Sequence, residues 1–342
     1  MRIPSSFRGS TRPRSFMTAV AFTVAIMAFG TAPGIGSTAS AQPTPILLQH
    51  KFQPGETLRH ELTQKITDTV SQTANSAPDS KSNATGQPEP PQSSSTSTKT
   101  TVTMRMTTKV QSSAPQKSTV VQTIDQLLIE IKGPRLELSY DSADPKNGTA
   151  QGNPATANMH KFLSILIGAP FTQDITSTGK IENVRIPAGV IAKLRENAPS
   201  QAAGGGVFSE DRIKEMITQA SMQVPAVAIA VGQSWKDQVR TAAPPLGTIV
   251  TDRVYTFRGP HATYPNFDHV EMKGSMAFEK TANVPGQITL KVDKFDGNYL
   301  FDTKVGRVRF SSLTQRFTVA NIVEGRSVSE SIEQIVTMKL LD

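Results

Sequence analysis

The chain has 342 residues, a formal net charge of +8 and no cysteine. The lack of cysteine excludes disulfides, thiolate-bound zinc, iron–sulfur clusters, cysteine nucleophiles and a lipid attached to cysteine. Lys and Arg residues are interspersed with polar and apolar ones instead of forming a block. The sequence therefore lacks the electrostatic signature of a protein that binds nucleic acid.

Residues 1–41 have the pattern of an export signal. Residues 16–29 contain only apolar residues and Thr, and Ala39-Ser40-Ala41 forms a cleavage site of the A-x-A type. They follow a start that has no acidic residue and four arginines: Arg2, Arg8, Arg12 and Arg14. Because the apolar run is shorter than the roughly 20 residues needed to span a bilayer, we predict a cleaved signal peptide and no membrane-spanning segment after cleavage. Residues 42–342, with a net charge of +4, are then expected to form one β-rich domain in the periplasm or outside the cell.

Residues 71–101 differ in composition from the rest of the chain. They are almost entirely Ser, Thr, Pro, Gln, Asn and Gly with scattered charges, and they contain no apolar residue larger than Ala. Such a segment cannot bury enough apolar surface to offset the entropy lost on ordering. We therefore predict a disordered loop over residues 71–101.

Alternation of apolar and polar residues is the strongest periodic signal in the chain. It occurs in residues 102–110, 288–292 and 328–340, and it predicts strands with one buried and one exposed face. Short turns are predicted at Asp296-Gly297 and at Gly306. Antiparallel hairpins are the natural interpretation.

Helical periodicity is confined to the middle of the chain, where we predict three short helices. The first covers residues 159–166 and stops at Gly168, the second follows Pro187, and the third begins at Ser209 and ends before Pro225. Together with the strands, these helices predict an α+β fold that is mainly antiparallel β. Its expected form is a curved sheet or half-barrel with the helices inserted in the middle.

Two parts of the chain share short motifs. Gly55-Glu56-Thr57 is matched by Gly232-Gln233-Ser234, and Gly179-Lys180-Ile181 is matched by Gly306-Arg307-Val308. One interpretation is a duplicated β unit, with halves at 42–186 and 225–342 joined by a helical segment at 187–224. The other is that common turn chemistry generates the matches, and both stay open at this point.

The same motifs carry a resemblance to a known family. Residues 48–59, together with Val231-Gly232-Gln233-Ser234-Trp235 and the turn from Phe301 to Val308, resemble an uncharacterised family of exported bacterial proteins with a domain of unknown function. The resemblance spans most of the mature chain and brings no catalytic residue with it. The order of strands and helices also resembles the curved β half-barrels of lipoprotein-carrier proteins, which implies an architecture and no activity.

Motifs for catalysis are weak. Ser177 and Lys180 fit the S-x-x-K pattern, but Gly179 between them favours a hairpin turn, and no S-D-N or K-T-G partner follows. His261 and His269 could ligate zinc together with Asp268 and Glu271, although no H-E-x-x-H motif exists and solvated loop histidines are the favoured interpretation.

Two further features also favour structural roles. Gly204-Gly205-Gly206 is interpreted as a linker, because no Gly-Lys-Ser or Gly-Lys-Thr follows it to form a phosphate-binding loop. Trp235 is the only tryptophan and is interpreted as a core anchor.

These observations predict a non-enzymatic envelope protein without catalytic residues, metal or cofactor. Its sheet, lidded by helices, would bind lipid or another apolar ligand, or would contact a protein of the envelope. The candidate ligand-binding residues are Met159, Phe162, Leu163, Leu166, Ile213, Met216 and Ile217. Two alternatives remain: an envelope hydrolase centred on the His261 and His269 region or on Ser177, and a filled sheet that acts only through partners.

Overall fold

The computed structural model describes most of the predicted mature domain. The described residues are 44–74, 93–134, 136–148, 154–197, 222–243, 247–281, 287–323 and 326–341, together with Glu210, Lys214 and Ile217. The predicted signal peptide and its cleavage site lie outside these residues. Most of the predicted third helix does too, although Glu210, Lys214 and Ile217 are each helical.

The described residues form twelve strands, two α-helices and one 3₁₀-helix. In chain order they are β1 (Thr57–Ala74), β2 (Ser93–Ala114), β3 (Lys117–Gly133), β4 (Leu136–Asp141), the 3₁₀-helix (Pro145–Gly148), α1 (Pro154–Leu163), β5 (Phe171–Thr176), β6 (Ile181–Arg185), α2 (Ala188–Asn197), β7 (Ser234–Ala243), β8 (Gly247–Pro260), β9 (Asp268–Lys280), β10 (Gln287–Asp302), β11 (Arg307–Val323) and β12 (Arg326–Leu341).

All of the described strands belong to one open sheet of mainly sequential neighbours. The order is β6-β5-β3-β2-β1-β12-β11-β10-β9-β8-β7, and β4 pairs with β3 beside this path. One half of the path runs from β6 to β1 and the other from β12 to β7. The first and last strands, β1 and β12, join these halves. They pair antiparallel from Arg59 opposite Leu341 to Ala74 opposite Arg326. The predicted α+β fold of mainly antiparallel strands is confirmed, with two α-helices described in full instead of three.

The predicted disordered loop was wrong at both of its ends. Residues 71–74 complete β1 and residues 93–101 begin β2, and Ser71 lies opposite Ser95. The hydroxyl of Ser71 donates to that of Ser95 at 3.2 Å, and Thr69 donates to Ser97 at the same distance. Backbone pairing needs no apolar side chain, and hydroxyl pairs across strands add to it. Residues 75–92 lie outside the described residues.

The turn predicted at Asp296-Gly297 was also wrong, because both residues lie inside β10. A Cβ on Gly297 would lie 2.9 Å from the carbonyl oxygen of Ser312 and 3.1 Å from Cε of Met272. Glycine is therefore required for close packing within the sheet and does not mark a turn. The turn predicted at Gly306 is confirmed between β10 and β11, where the φ angle of this residue is 67°.

A second strand glycine gives a direct test of this packing. A Cβ on Gly274 of β9 would lie 2.6 Å from Cδ1 of Phe295, so Gly274→Ala should lower the free energy of unfolding by about 1–3 kcal/mol. Urea titration measures the change. The control is Gly189→Ala in α2, where no atom lies within 4 Å of the added Cβ and where helix propensity should raise stability by about 0.5–1 kcal/mol. Equal effects of the two substitutions would contradict the packing of Phe295 on Gly274.

One face of the sheet carries most of its buried side chains, and we call it the inner face. Residues opposite each other on paired strands share a face. One row across the inner face runs through Gln64, Val336, Leu313, Gly297, Met272, Tyr255 and Trp235. The position of Trp235 in this row, with its ring stacked on Tyr255 at 5.3 Å, agrees with its predicted role as a core anchor.

Two of the apolar clusters on the inner face lie at successive levels along the strands. The proximal cluster, near the start of β1, includes Leu48, Tyr255, Phe257, Val270, Met272, Tyr299, Phe301, Leu313 and Val336. The distal cluster lies further along the strands and consists of Ile66, Phe317 and Ile332, with Met276, Leu290, Val292 and Val319 packed against them.

Two segments cross the proximal end of the sheet, residues 44–56 before β1 and residues 222–233 before β7. They pair with each other through Ile46 and Ile229, whose amides and carbonyls exchange hydrogen bonds of 3.0 and 2.8 Å. The amide of His50 donates to the carbonyl of Ser177 at 2.7 Å, and the amide of Lys51 donates to that of Gly306 at 2.9 Å. The first segment is thereby fixed to two hairpin turns, and in the second segment the amide of Val224 donates to the carbonyl of Thr178 in one of these turns at 2.8 Å.

The matched glycine motifs occupy similar places in the two halves of the path. Gly55 and Gly232 both have positive φ angles and lie two residues before β1 and β7. Gly179 and Gly306 also have positive φ angles. Gly179 lies in the turn between β5 and β6, and Gly306 lies in the turn between β10 and β11. Each turn joins the fourth and fifth strands along the path when the strands are counted from β1 and from β7. The division of the chain into two related halves stays a prediction.

Candidate functional site

The predicted ligand-binding residues of the first helix lie against the sheet. Met159, Phe162, Leu163 and Leu166 pack with a cluster on β3 and β4 that consists of Leu127, Ile129, Leu138 and Tyr140. Ile217 packs against a separate cluster around β5, β6 and α2. Ile213 and Met216 lie outside the described residues. The proposed contact of these side chains with a ligand stays a prediction.

The S-x-x-K motif lies in the hairpin turn between β5 and β6, as predicted. The amide of Thr176 donates to the carbonyl of Lys180 at 2.9 Å, and the φ angle of Gly179 is 88°. The ammonium of Lys180 lies 2.8 Å from the carboxylate of Glu182. Ser177 and Lys180 therefore have hairpin geometry, without the helical turn that this motif uses in penicillin-binding enzymes.

The two histidines lie where β8 and β9 connect: His261 directly follows β8, and His269 is the second residue of β9. The rings of His261 and His269 meet edge to face at 5.3 Å, and Nε2 of His269 lies 2.9 Å from the amide oxygen of Asn298. Glu271 forms an ion pair with Arg258 on the same outer face, with Nε and Oε2 2.8 Å apart. Among the described residues, no group of three His, Cys, Asp or Glu side chains is placed to hold a metal ion.

The inner face contains buried polar groups without partners, and sequence analysis had singled out none of them. Proteins pair nearly all buried polar groups, so a concentration of unpaired ones marks a place where a ligand or ordered water completes the bonding. Within the described residues, seven such atoms are Gln64 Nε2, Asp68 Oδ1, Gln173 Oε1, Arg253 Nη2, Asn321 Oδ1, Glu330 Oε1 and Gln334 Nε2. The strand registers place all seven side chains on the inner face.

Three of these atoms are hydrogen-bond donors, and we call Gln64, Gln334 and Arg253 the donor layer. All three side chains are buried. On β12, Gln334 lies between Val336 of the proximal cluster and Ile332 of the distal cluster, while Met276 and Val292 on the neighbouring strands pack against both clusters. Gln64 and Gln334, on adjacent strands, thus form a polar band between side chains of the two clusters, and Arg253 lies on β8, four strands from Gln334.

Arg253 is held by a buried ion pair with Asp237. Its Nε donates to Oδ1 of Asp237 at 2.9 Å, and the two side chains are 3% and 1% exposed. The hydroxyl of Tyr255 donates to the other oxygen of Asp237 at 3.5 Å. Burial raises the pKa of Asp237 to about 6, although the charge of Arg253 acts in the opposite direction. This arrangement fixes the guanidinium and leaves Nη2 available for a further acceptor.

The other polar band consists of oxygen atoms, and we call Asp68, Glu330 and Asn321 the acceptor layer. It lies on β1, β12 and β11 beside the distal cluster, because Asp68 is opposite Ile332 and Glu330 is opposite Val319. Burial and the nearby Asp68 raise the pKa of Glu330 to about 7, and burial raises the pKa of Asp68. The carboxyl group of Glu330 donates a hydrogen bond to that of Asp68.

Comparison with known proteins identifies the family. The sequence profile of DUF6263, a family of unknown function, matches residues 116–297, which is more than half of the chain. The chain belongs to this family. The match confirms the resemblance to an uncharacterised family with a domain of unknown function, and DUF6263 membership itself assigns no activity.

The other comparisons with this DUF6263 protein add little. No curated protein matches it. Among solved structures, it is similar to the crystal structure of an outer membrane channel from Pseudomonas putida F1, with 7% identity and a TM-score of 0.22, over 85% of this chain and 97% of the channel. Within the ranges that the structure describes, no helix has the length and apolar character needed to cross a membrane.

The proximal end of this DUF6263 protein contains two half-buried histidines. Nε2 of His50 donates to the carbonyl of Met222 at 3.1 Å, and its ring meets Phe301 edge to face at 5.5 Å. Burial is the main cause that lowers the pKa of His50 and of His60 to about 4 each, and the charge of Arg307 adds to it. Beside His50 lies a crevice of about 310 Å³, lined by the segment 49–54 and by the turn between β2 and β3.

Proposed function

We propose that this protein is an exported, non-enzymatic binding protein that holds an uncharged amphiphile against its inner face. The ligand class is an acyl chain esterified to a neutral head group, such as a monoacylglycerol. The observation that supports this proposal is the donor layer, in which the buried and unpartnered amides of Gln64 and Gln334 lie on adjacent strands between side chains of the two apolar clusters. Export is supported by the signal pattern of residues 1–41.

The order of side chains along the strands favours an amphiphile. On β1, Gln64 lies between Leu62, which packs on the proximal cluster, and Ile66 of the distal cluster. A ligand that crosses this band needs apolar surface on both sides and hydrogen-bond acceptors in the middle. Binding sites commonly combine such apolar walls with a few polar groups that fix orientation.

The charges around the donor layer favour an uncharged head group. Two of the donors are neutral amides, and the charge of Arg253 is already balanced by Asp237. The acceptor layer further along the same face contains two carboxyl groups, Asp68 and Glu330. An anionic head group would gain no net positive partner here, and burial of an unpaired charge is unfavourable. Ester oxygens accept hydrogen bonds without that cost.

Trp235 provides the test of this proposal. It is the only tryptophan and it stacks on Tyr255, which lies on β8 two residues from Arg253 and on the same face. A monoacylglycerol brominated at mid-chain should quench its fluorescence in a saturable manner, because bromine quenches on contact. The double substitution Gln64→Leu and Gln334→Leu should raise the Kd about tenfold, since each lost hydrogen bond contributes about 0.5–1.5 kcal/mol.

The matched control is Gln238→Leu on the outer face of β7, where the amide is exposed and donates to Asp252 at 2.9 Å. This variant should keep the wild-type Kd. The proposal fails if the wild-type protein is not quenched, or if the double variant binds as tightly as the control. If the corresponding brominated fatty acid binds more tightly than the brominated monoacylglycerol, the proposal of an uncharged head group is wrong. If the protein releases fatty acid from the monoacylglycerol, the proposal of a non-enzymatic role is wrong.

A further inference from the structure

Two carboxyl groups meet on the inner face where β1 pairs with β12. We propose that Asp68 and Glu330 form a proton-controlled latch on the distal seam, by which we mean residues 67–73 of β1 and their partners 327–333 of β12. The latch holds the seam closed while the pair carries a proton, and it lets the seam open when that proton is lost. It is a property of the sheet and needs no amphiphile.

The strand register brings the two side chains within reach of each other. Asp68 lies opposite Ile332, and Glu330 lies opposite Val70, so the two acids are diagonal neighbours on one face. Diagonal neighbours are about 7–8 Å apart at their Cα atoms, which long side chains can bridge. The carboxyl group of Glu330 donates a hydrogen bond to that of Asp68. This bond joins the two strands that connect the halves of the sheet.

Burial makes each acid dependent on the other. Glu330 as a residue is 3% exposed, and Asp68 is half-buried. Within the described residues, Oδ1 of Asp68 and Oε1 of Glu330 are buried and make no hydrogen bond. The bond between the two carboxyl groups needs a proton, because an ionised carboxylate can only accept. Loss of that proton therefore leaves two buried acceptors without a donor.

No charged group offsets this burial among the side chains that the structure describes. The inner-face positions next to the two acids hold Thr98 of β2, Val319 of β11, and Ile66, Val70, Val328 and Ile332 of β1 and β12. The buried carboxylate of Asp237, in contrast, is paired with Arg253. Burial is the main cause that raises the pKa of both Asp68 and Glu330, and the charge of Asp68 helps to raise that of Glu330 to about 7.

Ionisation of both acids favours separation of the strands. Two carboxylates in contact repel each other, and water is the partner that relieves the cost of burying them. Their side chains reach water when β1 and β12 part along the distal seam, which extends almost to the ends of both strands. The closed and open forms of the seam thus differ in the protons that they bind.

The pH range of opening follows from the direction of the pKa shift. A carboxyl group with a raised pKa in the closed form stabilises that form when it is protonated. For Glu330 this contribution is complete below the ordinary pKa of 4.5 and is lost as pH rises to the closed-form pKa of about 7. Within this range the equilibrium constant for opening should rise by up to about tenfold per pH unit, because opening releases one proton.

Hydrogen exchange of the mature protein between pH 5 and 7.5 tests the latch. After correction for intrinsic exchange rates, the opening constant of the distal seam in wild-type protein should rise at least about tenfold over this range. Glu330→Gln should abolish the rise, because the amide donates to Asp68 without a proton that titrates. Asp68→Asn should act in the same direction, since it supplies an amide donor from the other strand.

The matched control is Glu333→Gln on the outer face of β12, where the carboxylate pairs with Arg316 at 2.7 Å. This variant should keep the wild-type rise. The proposal is overturned if wild-type protein shows no rise, or if Glu330→Gln rises as steeply as Glu333→Gln. An equal rise in the centre of β10 would also overturn it, because the whole sheet would then open. No lipid is present in this measurement, so its outcome is separate from that of the quenching experiment.

Discussion

Replacement of Arg253 with methionine is expected to lower the free energy of unfolding by about 3–5 kcal/mol at neutral pH. The substitution keeps a long apolar side chain but leaves Asp237, whose side chain is 1% exposed, as a buried carboxylate without its partner. The pKa of Asp237 is already raised to about 6 by burial, and removal of Arg253 raises it further. Urea titration at pH 7.5 measures the loss.

The pH dependence of this loss follows from the direction of the pKa shift. A carboxyl group with a raised pKa in the folded state stabilises the fold when it is protonated, and this contribution is lost as pH rises through the folded pKa. The deficit of Arg253→Met should therefore shrink as pH falls from the higher pKa of the variant towards about 6, the pKa with Arg253 present. A second substitution, Asp237→Leu, should restore much of the stability at pH 7.5, because it removes the unpaired charge.

The exposed pair of Arg240 and Glu279 provides the control for the buried pair. The side chain of Arg240 is 52% exposed, and Arg240→Met should lower the free energy of unfolding by less than about 1 kcal/mol. If Arg253→Met has an equally small effect, the buried ion pair does not restrain the inner face as described. A larger loss in Arg253→Met that persists at pH 5 would also contradict the proposed cause, since Asp237 is then largely protonated.

Much of the fold was predictable where the inward positions of a strand are mostly apolar. The alternation in residues 102–110, 288–292 and 328–340 predicted parts of β2, β10 and β12, because side chains of a strand point to the two faces in turn. Strands β8 and β9 were not assigned from sequence. Their inward positions include Arg253 and Gly274, which interrupt the apolar pattern.

The candidate site was much harder to predict than the fold. Gln64 and Gln334 are distant in the chain, and each resembles an ordinary solvent-exposed residue until the pairing of β1 with β12 places both on the inner face. One signal was available: Gln334 occupies an inward position between Ile332 and Val336, where the pattern of β12 calls for an apolar residue. A polar residue at such a position indicates a buried polar group.

Acid is expected to destabilise the proximal end of the sheet through His50 and His60. Burial lowers the pKa of each to about 4, so neutral imidazole is favoured in the folded state. A group with a lowered folded pKa contributes stability that is present above its unfolded pKa of about 6.5 and is lost as pH falls through the folded value. The loss between pH 6.5 and 4 should be on the order of 2–3 kcal/mol for each histidine.

The double substitution His50→Gln and His60→Gln should therefore flatten the acid limb of a plot of melting temperature against pH. Asp237 and Glu330 have raised pKa values and act in the opposite direction over the same range, so the comparison of variant with wild type isolates the histidines. The control is His269→Gln on the outer face, which should keep the wild-type profile. Parallel profiles for wild type and the double variant would contradict the role of burial.

The structure also indicates which region opens first in acid. Protonation of His50 places a charge between Phe301 and the carbonyl of Met222, while Arg307, itself paired with Glu56, repels that charge. Hydrogen exchange at pH 4.5 should therefore accelerate first in residues 44–56, which lie outside the long strands and are held by a few isolated backbone hydrogen bonds. The centre of β12 lies between β1 and β11 and should stay protected. Earlier exchange in β12 would show that acid acts on the sheet itself and not on the segment that crosses its proximal end.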